Sequence, residues 1–325
     1  MLTVKYLDFA YSQERKTLSN LNFRVDKGAF ISILGESGSG KSTLLKLIYG
    51  LEDLEQGEIS FNDETVTGPK YNLVPGHADM KFVPQEFDLL DYVSVGENVG
   101  KYLSNFDLPL KQKTIEEALK VVFLENFINE PPKQLSGGQR QRVSIARALA
   151  AKPKMLLLDE PYGQLDQPLK FKIRESIYRW AKENNCTVLL TTHDVSDALG
   201  FSDKIMVLNK GKIAQFDTPK ILRENPMNEY VVSLLGEYNK LSSEEFYRLF
   251  QIEIPKNKEI ILYPEDIYEE EKGKEFKITQ SRYLGREFLI EATNGSTKLK
   301  FYSKEKCTQN QVKLSVSKYR FLELN

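Results

Sequence analysis

Apolar and polar positions divide the chain into a strand-rich beginning, a helical middle and a β-patterned end. Val4 to Phe9, Leu21 to Val25 and Phe30 to Leu34 read as strands, with Asp26-Lys27-Gly28 as a turn. Ala29 to Leu34 is an apolar run of buried-strand type, and after a glycine-rich gap Leu44 to Tyr49 continues as a helix with one apolar face. Gly57 to Asp63 reads as a strand and turn, and Met80 to Gln85 as a strand after a loop around Pro69 to Gly76. Between 86 and 150 the period changes. Ile115, Ala118, Leu119, Val122 and Phe123 fall on one helical stripe, a packing pattern, so this stretch reads as a helical subdomain inserted into a sheet-based core. Met155 to Leu158 and Cys186 to Thr192 are again buried-strand runs, each ending in polar groups. Asn209-Lys210-Gly211-Lys212 lacks the aspartate of a guanine-reading N-K-x-D motif and reads as a hairpin turn.

Near Gly236 the pattern shifts. Residues 237–258 read as mixed helix and linker ending in Pro255-Lys256-Asn257-Lys258. Short strands follow at Glu259–Tyr263, Phe276–Gln280, Glu287–Thr293, Thr297–Tyr302 and Gln311–Val316, with Asn294-Gly295 as a type I′ hairpin signal. Residues 259–325 are therefore expected to form a small all-β domain, a partly open barrel of OB type, without a catalytic constellation. Glu269-Glu270-Glu271 is a solvated charge run.

Composition narrows the class. The 325 residues carry a formal net charge of −1 with 28% charged residues, which argues against a basic nucleic-acid binder. Cys186 and Cys307 stand far apart with no CxxC or Cys/His clustering, so free thiols in a reducing compartment are expected. Cys186 reads as a core or strand-edge thiol. No run of apolar residues is long enough to span a bilayer, and the first residues lack a signal-peptide core, so a cytoplasmic protein is expected.

The chemistry concentrates first at Gly35-Glu36-Ser37-Gly38-Ser39-Gly40-Lys41-Ser42-Thr43. Strand, glycine loop, Gly-Lys-Ser and helix together make a phosphate cradle: backbone N–H groups and a helix N-terminus surround phosphate oxygens. Lys41 would reach the β- and γ-phosphates, and Ser42 would ligate Mg²⁺. The bland alternative, a Gly/Ser turn, does not require the full pattern. Asp159 and Glu160 follow a buried strand, where unpaired acids are costly unless a cation or a proton transfer uses them. Asp159 suits Mg²⁺, and Glu160 suits orienting and deprotonating an attacking water. His193, at the end of another buried strand, could hydrogen-bond the transferred group and hold Glu160 and the water. Gln85 ends a strand where its amide could contact Mg²⁺ or the water. Tyr11, in the loop between the first two strands, is either an adenine-stacking ring or a surface tyrosine. His77 has no such context. Leu135-Ser136-Gly137-Gly138-Gln139-Arg140-Gln141-Arg142 starts a helix, and Ser136 with Gln139 matches a capping box. Two glycines in a first helical turn nevertheless imply close backbone approach to something.

These motifs, in this order and with Gly163-Gln164-Leu165-Asp166 and Thr191-Thr192-His193-Asp194, resemble the nucleotide-binding subunit of ABC transporters over about residues 1–236. The resemblance implies an α/β P-loop ATPase core with an inserted helical subdomain, and favours Tyr11 as the adenine-stacking ring. It implies ATP and Mg²⁺ as cofactors and a head-to-tail dimer with a second copy. In that dimer Ser136, Gly137, Gly138 and Gln139 of one copy face the γ-phosphate held by Lys41 of the other, and Asp166 communicates across the interface. The segment Lys210 to Pro219, then Asn225-Pro226 and Leu234-Leu235-Gly236, and the motif Leu262-Tyr263-Pro264-Glu265-Asp266-Ile267 look like those of bacterial solute importers with a C-terminal TOBE-type β-domain. Tyr263 stands where an arginine is usual, Asp217 where a glycine is, and Tyr162-Gly163-Gln164 replaces the commoner Phe-Ser-Ala. The implied partners are transmembrane permease subunits and, indirectly, a solute-binding protein, with the chain peripheral on the inner membrane face. The cargo would be a polyamine, ferric iron, a sugar or an oxyanion. The rival readings are a soluble ABC-type ATPase of DNA repair, translation or cofactor assembly, and a small-ligand sensor acting through the β-domain.

Overall fold

The computed structural model describes residues 1–12, 15–255, 258–307 and 309–323. They form two compact units, Met1–Pro219 and Lys220–Asn325.

The first unit contains strands β1 (Leu2–Ser12), β2 (Arg15–Val25) and β3 (Phe30–Leu34), helix α1 (Lys41–Tyr49), and strands β4 (Gln56–Phe61), β5 (Glu64–Thr65) and β6 (Met80–Val83). Helices α2 (Val95–Val99), α3 (Leu108–Val121) and α4 (Gly137–Ala150) follow. The chain then runs through β7 (Met155–Asp159), α5 (Gln167–Glu183), β8 (Thr187–Thr192), α6 (Val195–Leu199), β9 (Lys204–Asn209) and β10 (Lys212–Asp217). One sheet has the order β10-β9-β3-β8-β7-β6, parallel except for the β10 edge; an antiparallel sheet has the order β2-β1-β4-β5.

The side-chain period of two, with both sheet faces covered, explains why the parallel strands are mostly apolar. Phe30, Leu156, Leu158, Val188 and Leu190 enter one core, filled by α4, α5 and the Ile115, Ala118, Leu119 stripe of α3. Ile31, Ile33, Met155, Leu157 and Leu189 enter the other, filled by Leu44, Leu45, Leu47 and Ile48 of α1 and by Leu2, Val4 and Ile59 of the antiparallel sheet. Covering both faces leaves the strand ends for chemistry. Leu34 pairs with Thr192 and Asp159 with Thr191, so β3, β7 and β8 end together at one edge of the sheet.

Several local expectations need correction. Tyr11 lies within β1, not in a loop, because the β1–β2 hairpin pairs as far as Ser12 through a series of register shifts. Strand β6 stops at Val83, leaving Gln85 two residues beyond it. Phe123 leaves the α3 stripe: the helix ends at Val121, Phe123 takes a φ of 55°, and its ring is 44% exposed. The 209–212 hairpin is present, with Asn209 paired to Lys212.

The second unit comprises α7 (Pro219–Glu224), α8 (Glu229–Leu234), β11 (Asn239–Ser242), α9 (Ser243–Phe250), β12 (Lys258–Leu262), β13 (Ile267–Tyr283), β14 (Phe288–Asn294), β15 (Thr297–Ser303), β16 (Gln311–Val316) and β17 (Arg320–Glu323). Residues expected to form a linker after 236 are folded here. Strand β11 pairs with β12, Ser242 and Glu245 form a capping box on α9, and Leu241, Phe246 and Leu249 are buried in the core. Lys256 and Asn257 lie outside the described residues. The unit also begins earlier than expected, at Lys220, because Val232 of α8 packs with Ile261, Tyr263 and Leu322. Its strands form two sheets, β11-β12-β17 and β15-β14-β13-β16, sharing one core. Glu269-Glu270-Glu271 sits at an irregularity inside the long β13, where Glu269 and Lys274 both pair with Leu314. The turn after β14 is shifted by one residue from the type I′ expectation: Asn294 pairs with Thr297, and of the two residues between them only Gly295 has a positive φ.

Tyr263, in place of an arginine, has its own packing logic. Its ring is buried with the Arg223 guanidinium 3.8 Å and the Arg320 guanidinium 4.6 Å from its centroid, and Arg320 pairs with buried Asp266. The cations come from α7 and β17, and the tyrosine supplies the π surface between them.

Candidate nucleotide site

The phosphate loop spans the gap between β3 and α1. Gly40 caps α1 at a φ of 103°, a conformation that a Cβ would strain, and no side chain caps the helix. Its first-turn N–H groups and positive dipole end therefore suit an anionic ligand. Gly35 and Ser39 are buried, Ser37 and Gly38 are exposed, and the Ser39 hydroxyl has no hydrogen-bond partner among the described residues. A buried polar atom left over in such a loop fits phosphate binding.

Lys41 is 5% exposed, and its Nζ donates to the carbonyls of Gly35 and Glu36, each at 2.9 Å. Burial pushes its pKa down, opposed by the negative charges of Glu160 and Asp159. Ser42 Oγ donates to Asp159 Oδ1 at 2.9 Å, and Thr191 Oγ1 donates to the same oxygen at 2.6 Å. The Glu160 N–H donates to Thr191 Oγ1 at 3.0 Å. Thr191 thus ties β8 to both acids at the end of β7, a role the sequence reading missed; the only signal was a hydroxyl two residues before the histidine at a strand end. Glu160 has a φ of 46°, a rare conformation for a non-glycine residue that turns it sharply out of the strand. Its Oε2 lies 3.2 Å from His193 Nδ1, and the imidazole is 62% exposed.

The remaining candidates fall around this line. Tyr11 presents a ring that is 58% exposed, backed edge-on by Phe9, with its hydroxyl 3.4 Å from Thr43 Oγ1. Gln85 is exposed, and the Val83–Leu158 register brings it out at the same sheet end as Glu160. No group of three or more His, Cys, Asp or Glu side chains stands together as a metal cage among the described residues. Adjacent Ser42 and Asp159 fit a cation that keeps waters and phosphate oxygens as its other ligands.

At the start of α4 the capping box is formed: Gln139 N–H donates to Ser136 Oγ at 3.3 Å, and Ser136 N–H to Gln139 Oε1 at 2.8 Å. Gly138 has a reason inside the chain that the sequence reading did not find. A Cβ on Gly138 would stand 2.8 Å from the Gln164 carbonyl oxygen and 3.1 Å from Leu165 Cδ2. On Gly137 it would meet only the flexible end of the Gln164 side chain. Asp166 caps α5, accepting the Leu169 N–H at 3.0 Å.

A family profile described as ABC transporter matches residues 18–163. A sulfate/thiosulfate import ATP-binding protein of Nocardia farcinica is 36% identical over 283 residues, covering 86% of this chain and 84% of the relative. A spermidine/putrescine import ATP-binding protein of Legionella pneumophila is 42% identical over 224 residues, covering 68% of this chain and 60% of the relative. Among solved structures, a dimeric ATP-binding cassette in a post-hydrolysis state with ADP and phosphate aligns with a TM-score of 0.60 and 33% identity, over 67% of this chain and 99% of the other.

Proposed function

The chain belongs to the ABC transporter family and is an ATP-hydrolysing member of it; from that premise we propose that it is the ATPase subunit of an importer. The observation that carries the ATPase chemistry is the single line Lys41, Ser42–Asp159, Thr191, Glu160–His193 at one end of the parallel sheet. Phosphate oxygens would lie against the loop N–H groups and Lys41, with Tyr11 under the adenine and the site adjoining Ser42 and Asp159. Mg²⁺, held by Ser42, Asp159 and Gln85, would offset charge on the phosphates. Glu160 would take a proton from the attacking water, and His193 would hold Glu160 and the transferred group.

Ser136, Gly137, Gly138 and Gln139 of a second copy would complete the wall facing the γ-phosphate, with Asp166 nearby. ATP then stabilises the closed dimer and hydrolysis releases it. The relatives' names as import proteins support this reading over a soluble ATPase of DNA repair, translation or cofactor assembly. Among the described residues no helix is long and apolar enough to cross a membrane, so attachment to the inner membrane face would run through separate permease subunits served by a solute-binding protein. The cargoes in the relatives' names, sulfate or thiosulfate and spermidine or putrescine, are small charged solutes, and we assign the same class here.

The test is Glu160→Gln. Its turnover falls by about 10²–10⁴ while ATP binding is retained. Near-normal turnover by the variant would remove Glu160 as the base.

A further inference from the structure

His193 is exposed, so packing does not hold its ring in place; its position depends on the backbone of residues 192–194. That backbone is anchored through charge. Lys170, one turn after Asp166 on α5 and 7% exposed, places Nζ 2.5 Å from Asp194 Oδ2 and 3.1 Å from Asp197 Oδ1. Asp197, 3% exposed, also takes Arg174 Nη1 at 2.7 Å and the Thr192 hydroxyl at 2.8 Å. Asp194 caps α6 through the Ser196 N–H at 2.9 Å, and its own N–H donates to Thr192 Oγ1 at 3.0 Å. Two cations from α5 thus neutralise two carboxylates that follow His193 directly and at four residues. A polar cavity of about 230 Å³ borders the cluster, lined by Lys170, Asp194, Asp197, Glu160 and His193 among others.

We propose that Lys170 is a positioning residue for hydrolysis, linking the start of α5 to the His193 segment and so setting the imidazole against Glu160. The proposal rests on the role assigned to His193 above. Lys170 touches neither the reacting atoms nor the phosphate loop; it acts through Asp194. Three features make the link stiff. The pair is largely shielded from water, so it is screened little. Each carboxylate is also held by backbone or hydroxyl donors, which satisfies its remaining lone pairs. Asp166 and Lys170 share a helix face, with the Lys170 N–H bonded to the Asp166 carbonyl at 2.8 Å, so a shift at the α5 start moves the lysine with it.

The experiment is a double-mutant cycle on the full-length protein, with steady-state ATP hydrolysis as readout. Lys170→Met lowers kcat about tenfold with KM for ATP changed less than twofold, and Lys170→Arg restores most of the rate. In the His193→Ala background Lys170→Met costs nothing further, because the group it positions is gone. Additive losses, or an unchanged kcat in Lys170→Met, would overturn the positioning role. Full activity in His193→Ala alone would instead overturn the reading of His193, which separates the two failures. If Lys170→Met does not fold, Asp194→Asn, which keeps a helix-capping side chain, replaces it in the same cycle with the same expected pattern.

Discussion

At the residue scale, each group of the site is held by a neighbour that chemistry requires and sequence proximity does not reveal. Thr191 joins Asp159 to the Glu160 backbone, and Glu160 leaves its strand through a left-handed turn. Gly137 and Gly138 separate by the same reasoning. Alanine at either position would otherwise favour a helix by about 0.5–1 kcal/mol. At Gly138 the added methyl meets the Gln164 carbonyl, and overpacking of this kind costs about 1–3 kcal/mol. Gly138→Ala is therefore expected to melt below the parent and Gly137→Ala at or above it, measured calorimetrically without nucleotide. Because no dimer contact is needed in that measurement, a lower melting point for Gly138→Ala belongs to packing within one chain. Equal melting of both variants would remove that explanation.

At the scale of elements, β3, β7 and β8 are interchangeable as apolar runs, and their parallel register gives them different jobs. The α5–α6 link adds a pH dependence. Burial by itself would raise the Asp194 carboxyl, but the hydrogen bonds from Lys170 and Ser196 outweigh it and hold the pKa down to about 2. A carboxylate depressed in the folded state contributes stability above its unfolded pKa of about 3.9, and that stability is lost as pH falls toward 2. Acid unfolding of the parent between about pH 4 and pH 2 should therefore be steeper than that of Asp194→Asn, followed by far-UV circular dichroism. Identical acid profiles would show that the pair adds no such linkage. In the second unit, the 237–258 segment shows how a polar-looking stretch can still be an element: Phe246 and Leu249 bury one face of α9, with Phe250 partly buried against the same core, while Glu244 and Arg248 stay exposed.

At the scale of the molecule, the proposed function needs two copies. In the proposed dimer Ser136, at the exposed start of α4, would meet a partner's phosphate, and a large cation there would block that approach. Ser136→Arg should bind ATP as a monomer and fail to dimerise in light scattering with ATP, preferably in the Glu160→Gln background, where hydrolysis does not dissolve the dimer. An unchanged ATP-dependent dimer would count against the composite site.

The pattern of residues alone was enough to determine the strand-loop-helix at 30–49, the acids ending β7, the histidine ending β8 and the change of architecture beyond the ATPase core. Each is a local consequence of periodicity, turn chemistry or the cost of an unpaired charge. The tertiary structure decided what depends on partners far apart in the chain. It showed that the second unit begins at Lys220, that Gly138 makes room for Gln164, and that Arg223 and Arg320 flank Tyr263. It also placed Lys170 on Asp194, 24 residues away. Side-chain chemistry is written in the sequence; which groups are desolvated together is set only when the sheets and helices pack.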